Sequence, residues 1–377
     1  MNVLVLGGTG PTGPYVIDGL LDRGYDVTMM HGGFHEAEFK GPVEDLHGDV
    51  HFTDSLEATL ADRKFDVVIF MYGRLRLSAE FFMGRTDRFI AVGAAAGRAG
   101  RSDPRWGPLG RAFAPNEDNN VPITAADGGI RGRIQAANER VLELHGQGHY
   151  NATILAYPNL YGPRQPAPED WCVVRRILDG RRELIIADGG MKIHQRAYVE
   201  NAAQAVLLAL DKPEESAGEL FVIGEPLYTM RQRVELIART LNHELELIDM
   251  PFPLARPCHY LWFHSPKHWV RDDSKIRRVL GYTEVVEAGE AQIRTVNWLV
   301  ENRGALSGEW ENQIDDSFDY AAEDDLIAAW RRSCAEMAAI EVDMKPPAHR
   351  YRHPKTPGEG WYRPETGGMS TASLDYY

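Results

Sequence analysis

The chain has 377 residues, a formal net charge of −14, 44% hydrophobic and 25% charged residues. That is the composition of a globular protein long enough for one large or two smaller domains, and the acidic balance argues against a nucleic-acid surface as the main partner. The three cysteines, Cys172, Cys258 and Cys334, stand far apart and in no metal-ligand spacing; the reading is buried thiols in a reducing compartment and no metal. No run approaches the roughly 18 consecutive apolar residues of a membrane span, and the chain opens on an apolar strand rather than a charged leader, so a cytoplasmic location is expected.

The first element is an apolar strand over Val3 to Leu6, followed by Gly7, Gly10 and Gly13 in a Gly-x-x-Gly-x-x-Gly loop and an amphipathic helix over Pro14 to Arg23. Gly7 allows a tight turn after the strand, Gly10 lets backbone approach a pyrophosphate, and Gly13 lets the helix pack closely on the sheet. The helix N-terminus offers free N–H groups and partial positive charge to phosphate oxygens. With the strand over Val27 to Met30 this makes one βαβ unit, and Thr9, Pro11 and Thr12 fall within its dinucleotide cradle.

Farther along, strand-like runs at Val67–Met71, Phe89–Val92, Ala152–Tyr157, Leu184–Ala187 and Leu220–Ile223 alternate with helical patterns. The helices are read at 54–63, 134–144, 171–178, 201–210 and 231–241. The order implies an α/β fold with a doubly wound parallel sheet. Ligands gather at the C-terminal ends of such strands, so Gly7–Gly13, His31–Gly33, Tyr72–Arg76, Ala94–Arg98 and Pro158–Gly162 are expected along one crevice. From about Gln165 the pattern loosens into a smaller C-terminal lobe. Residues 321–340 read as a further helix, and 345–377 as an aromatic-rich tail, either disordered or, as its aromatic content favours, draped over its own or a neighbouring subunit, which leaves room for a homo-oligomer.

Several ordered motifs then carry a resemblance. The glycine loop, Gly48-Asp49 after the third strand, Phe65 to Ile69, Asn159-Leu-Tyr-Gly-Pro-Arg164, and Asp273 to Tyr282 together resemble the extended short-chain dehydrogenase/reductases. Within them they are most similar to the NAD-dependent epimerase/dehydratase group, over roughly residues 1–303. The resemblance implies a Rossmann-type dinucleotide-binding domain over 1–164 with returning segments near 194–225, a substrate lobe over 165–303 and an extension over 304–377. It implies NAD or NADP as cofactor, with Asp49 and Val50 at the adenine, the end of the second strand at the adenosine ribose, and Pro158 among the cofactor contacts. His31 stands where such chains place a carboxylate for NAD or a neighbouring arginine for NADP, so the choice between them stays open, and a histidine that only ends a strand is an equal alternative.

The catalytic positions depart from the resemblance. The hydroxyl residue at the end of the fifth strand falls on Ala94, and the Tyr-x-x-x-Lys helix falls on Arg131-Gly-Arg-Ile-Gln135. Arginine stays protonated and glutamine does not titrate, so neither reproduces a tyrosine acidified by lysine. The only literal match, Tyr351 to Lys355, contains Pro354, which breaks the helix that would place both side chains on one face.

Gln135 is read as a neutral contact to the nicotinamide ribose. Arg131, with Arg74, Arg76 or Arg98, is read as an anion contact, and Tyr72 and His194 as replacement proton donors, with Tyr161 and Tyr198 weighed beside them. His194 also stands where sugar-nucleotide members of the family carry an arginine. Trp171, Tyr260, Trp262, Phe263 and Trp269 suit either the core of the second lobe or an aromatic substrate. The expected function is an atypical NAD(P)-dependent oxidoreductase or epimerase/dehydratase-like enzyme acting on a small carbonyl or alcohol, anionic or aromatic. The alternatives are a redox-silent dinucleotide-binding regulator and, last, an RNA-binding protein.

Overall fold

The computed structural model describes residues 1–94, 114, 117, 129–257, 267–305, 311–314 and 316–342. In chain order these form β1 (Asn2–Leu6), α1 (Gly13–Asp22), β2 (Asp26–His31), β3 (Glu44–His47), α2 (Thr53–Leu60), β4 (Phe65–Phe70), α3 (Leu75–Phe81), β5 (Thr86–Ala94) and α4 (Gly129–Gly146). They continue with β6 (Asn151–Tyr157), β7 (Asn159–Tyr161), α5 (Trp171–Leu178), β8 (Glu183–Ala187), β9 (Arg196–Tyr198), α6 (Val199–Asp211), β10 (Glu219–Val222), α7 (Met230–Thr240) and β11 (Glu246–Met250). The last are α8 (Ser274–Leu280), α9 (Ala288–Glu301), the single turn α10 (Arg303–Ala305) and α11 (Tyr320–Ala338). Residues 1–319 make one compact unit and 320–377 a second. In the second, α11 is the described part, and the expected tail over 345–377 lies outside the described residues.

The main sheet has seven strands in the order β10-β6-β5-β4-β1-β2-β3, all parallel. Val3 and Val5 pack on one face of β1 against α1 and α6, while Leu4 and Leu6 pack on the other against α2 and α3. All four are fully buried, as a strand covered on both faces must be, and each contributes on the order of 1.5–3 kcal/mol of burial. Strand order reverses between β1 and β4, so the glycine loop after β1 and the turn after β4 flank the switch point where open α/β sheets bind ligands.

Three expectations are corrected. Leu184–Ala187 lies in β8, which leaves the main sheet and pairs with β11 in a sheet of its own; an apolar run marks a buried strand without naming its partner, here some 60 residues away in the register Glu183 to Glu246. The stretch Tyr72–Arg76 is not all crevice loop, because α3 starts at Leu75 and takes Arg76 into a pair with Glu80 at 3.5 Å. Of the cysteines, Cys172 is buried but Cys334 is partly exposed, and Cys258 lies outside the described residues.

Candidate functional site

The glycine loop is shaped as a cradle. Gly7 sits at φ +91°, and a Cβ there would stand 2.4 Å from the Cβ of Tyr72. A Cβ on Gly13 would lie 1.9 Å from the Gly8 carbonyl oxygen, so the start of α1 packs directly on the loop backbone. Gly10 is different: a Cβ there would meet only the Gly7 oxygen at 3.7 Å, which leaves its outer side open to a ligand. Thr12 precedes α1 without capping it through its side chain, and the first turn holds no acidic residue. Open backbone beside an uncapped helix N-terminus fits the pyrophosphate of a dinucleotide. Thr9 and Pro11 lie in the same turn.

Around the cradle, Tyr72 is 61% exposed, and its ring meets His51 edge-on at 5.0 Å. Asp49 Oδ1 accepts from the His51 backbone N–H and from His51 Nδ1, and these bonds hold its carboxyl below the usual carboxylate range. Val50 is buried, with its side chain and carbonyl against Gly73. His31 is also buried; its Nδ1 accepts from Gly33 N–H at 3.3 Å, and its Nε2 lies 3.0 Å from Asp45 Oδ1 on β3. Asp45 and His47, which share this corner, were not singled out in the sequence: β3 reads Glu-Asp-Leu-His and its burial pattern shows no inward-facing apolar run.

A separate pocket opens at the C-terminal ends of β5, β6 and β10. Ala94, Tyr157, Pro158, Asn159, His194 and Trp269 line it, with Gln195 and Arg271 adding polar groups. Tyr157 links it to the cradle: its hydroxyl donates to the Ala202 carbonyl at 2.9 Å and also bonds the Thr12 side chain, while burial raises its pKa above that of an ordinary tyrosine. Tyr72 is not among the residues lining this pocket, so the two proposed proton donors stand at different places, Tyr72 against the glycine loop and His194 in the pocket.

His194 is held on three sides. The Gln195 N–H donates to the Trp269 carbonyl and the Trp269 N–H to the Ile193 carbonyl, both at 2.8 Å, which straps the two segments together. The Trp269 ring meets the imidazole edge-on at 4.8 Å. Glu169 brings Oε1 to 3.8 Å from Nδ1, and only 4% of His194 is exposed. Trp269 is thus a pocket wall as well as a packing residue.

The other candidates are used locally. Arg74 lies 5.3 Å over the Phe52 ring. The hydroxyl of Tyr161 donates to Glu225 at 2.8 Å, and its ring packs against Tyr198. Gln135 donates to Glu139 Oε1 at 2.8 Å on the surface of α4. Arg131 lies on α4, and its side chain, like Arg98, Tyr260, Trp262 and Phe263, lies outside what is described.

Asn138, three residues beyond Gln135, was missed: it is buried and donates Nδ2 to the Ala94 carbonyl at 3.2 Å. A lone asparagine on an inward helix face was the available signal. Behind the pocket, Arg196 donates to Asp170 at 3.0 Å and to Gln292 at 2.8 Å, and Arg233 donates to Asp170 at 2.8 Å. Burial alone would raise the Asp170 carboxyl, but Arg196, Arg233 and the Gln292 amide outweigh it and hold it far below the usual range.

Residues 134–224, from α4 through β10, match the model of the NAD dependent epimerase/dehydratase family. Among relatives, an uncharacterized protein of Sinorhizobium fredii is 25% identical over 323 residues, covering 77% of this chain and 87% of its own. A putative UDP-glucose 4-epimerase of Methanocaldococcus jannaschii is 23% identical over 331 residues, covering 80% and 99%. The UDP-glucose 4-epimerase structure from Thermotoga maritima with UDP-glucose superimposes with a TM-score of 0.64 at 20% identity, over 80% of this chain and 100% of that one. The segment from α4 through β10 thus resembles the family model, and the fold as a whole is that of the UDP-glucose 4-epimerase structure.

Proposed function

We propose that the protein is an NAD-dependent oxidoreductase in which His194, rather than a Tyr/Lys pair, moves the proton. The observation that carries this reading is the pocket itself: His194 shares it with Ala94 and Pro158, at the strand ends next to the glycine cradle. A bound dinucleotide would supply hydride transfer; Gly10 and the α1 N-terminus would hold its phosphates, Asp49 and Val50 its adenine, His31 its adenosine ribose, and Gln135 and Pro158 its nicotinamide half.

NAD rather than NADP is favoured by charge. Between Asp26 and His51 the only lysine or arginine is Lys40, whose Nζ is paired with Asp22 at 2.7 Å. No guanidinium or free ammonium from this stretch is therefore on hand for a 2′-phosphate.

In the pocket, Ala94 carries no hydroxyl, which leaves a substrate carbonyl the pocket's other polar side chains, His194 foremost, with Asn159, Gln195 and Arg271 beside it. The buried His194 imidazole, with Glu169 Oε1 3.8 Å from its Nδ1, is the group proposed to pass a proton to and from the substrate oxygen. Arg271 gives the pocket a cation for a substrate carboxylate or phosphate, and Trp269 gives it an aromatic wall. The substrate class is thus a small carbonyl or alcohol with an anionic group. Tyr72, packed against the glycine loop, is assigned an outer role at the cofactor.

The test incubates the full chain with NADH and a panel of α-keto acids and phosphorylated aldehydes, following the nicotinamide absorbance. Turnover by the native protein that falls about 10²–10⁴-fold in His194→Asn, with NADH affinity kept, supports the proposal. Unchanged turnover in His194→Asn overturns the role of His194. NADH that binds and is never consumed favours the redox-silent reading instead.

A further inference from the structure

The edge of the main sheet holds a second group of chemistry-bearing side chains, away from the pocket. The β2–β3 register pairs Met29 with Asp45 and His31 with His47. Alternation along the strands therefore sets His31, Asp45 and His47 on one face. His31 Nε2 lies 3.0 Å from Asp45 Oδ1, His47 Nε2 lies 3.8 Å from Asp45 Oδ2, and one ligand atom from each residue falls within 4.8 Å of the others.

Two features separate this from an ordinary surface pair. His31 is 3% exposed, and its Nε2 is buried without a properly aimed hydrogen bond although a carboxylate oxygen is only 3.0 Å away. That is how two ligands of one ion stand to each other, side by side rather than donor to acceptor. No lysine or arginine among the described residues pairs with Asp45; Arg63, between α2 and β4, pairs with Glu44 of β3 instead.

The geometry points to a binding site for one divalent transition-metal ion of the zinc, cobalt or nickel kind, held by His31, Asp45 and His47. Imidazole nitrogen with one carboxylate suits these ions better than magnesium or calcium, which take oxygen ligands. With metal–ligand lengths of about 2.0–2.2 Å, neighbouring donors on a tetrahedral ion stand roughly 3.3–3.6 Å apart. The distances of 3.0 and 3.8 Å bracket that value.

The side chain of His47 is 61% exposed and can rotate to close the remaining gap, with water in the fourth position. Coordination through His31 Nε2 places the ring proton on Nδ1, so the Gly33 N–H must turn away. Gly33, at φ +74° in a Gly-Gly turn, has the backbone freedom to do so. The ion would clip β3, a four-residue and largely exposed edge strand, to β2.

The experiment uses the full chain, stripped with chelator and titrated with zinc chloride by calorimetry and with cobalt chloride by visible absorption. The expected result is one ion per chain, the visible band of four-coordinate cobalt, and a higher Tm with metal present. His47→Ala and Asp45→Asn, both at exposed positions, should each weaken binding at least tenfold and remove the band while far-UV dichroism stays native. Absence of saturable binding overturns the proposal, as does binding that survives both substitutions unchanged. Because the readout is the metal, the outcome is independent of whether the chain transfers hydride.

Discussion

The Asn138 amide donates to the carbonyl oxygen of Ala94 at 3.2 Å, tying the middle of α4 to the last residue of β5 where the pocket begins. Asn138→Ala removes the bond and leaves the Ala94 carbonyl short of a donor. We expect a loss of about 1–2 kcal/mol in denaturant unfolding, with the slope of the transition unchanged.

The glycines of the loop have different duties, and two substitutions separate them. Gly13→Ala drives a Cβ to within 1.9 Å of the Gly8 oxygen; such overpacking against backbone should destabilise the fold by about 2–4 kcal/mol, read as a lower Tm. Gly10→Ala meets nothing closer than 3.7 Å. Its Tm should stay within a few degrees of native while NAD affinity falls at least tenfold, because the added methyl occupies the pyrophosphate's approach.

Asp170 is the shared counter-ion of Arg196 and Arg233 in the buried network behind the pocket. Its folded pKa lies below the unfolded value near 3.9, so its contribution to stability is complete above that value and is lost as pH falls toward the folded pKa. Native protein should therefore weaken as pH drops below about 4. Asp170→Asn takes the shared carboxylate from two buried guanidinium groups and leaves them the longer contacts to Glu169 at 3.4 and 4.0 Å; it should cost about 3–5 kcal/mol at pH 7 and should flatten that acid dependence. Urea unfolding at pH 7, 4 and 3 checks both statements.

Much of the architecture was legible because the signals were local. β1, α1 and β2 follow from an apolar run, three glycines and a helical period, and α5 over Trp171–Leu178 coincides with its pattern. What was hidden depends on partners distant in sequence. The apolar run of β8 says nothing about β11, β3 is too polar and short to show a core face, and the three-residue β7 and β9 carry no period of their own. The site divides the same way. The cradle was readable from glycine spacing, whereas His194 acquires its setting from Glu169 and Trp269, 25 and 75 positions away, and Asn138 from a strand end across a loop.

If the cradle holds a nicotinamide dinucleotide for the His194 pocket, isothermal titration of the purified full chain with NAD, NADH, NADP and NADPH will show one site per chain. NAD(H) should bind at least tenfold more tightly than NADP(H), and Gly10→Ala should lose that site. Failure of all four nucleotides to bind would contradict that role of the cradle.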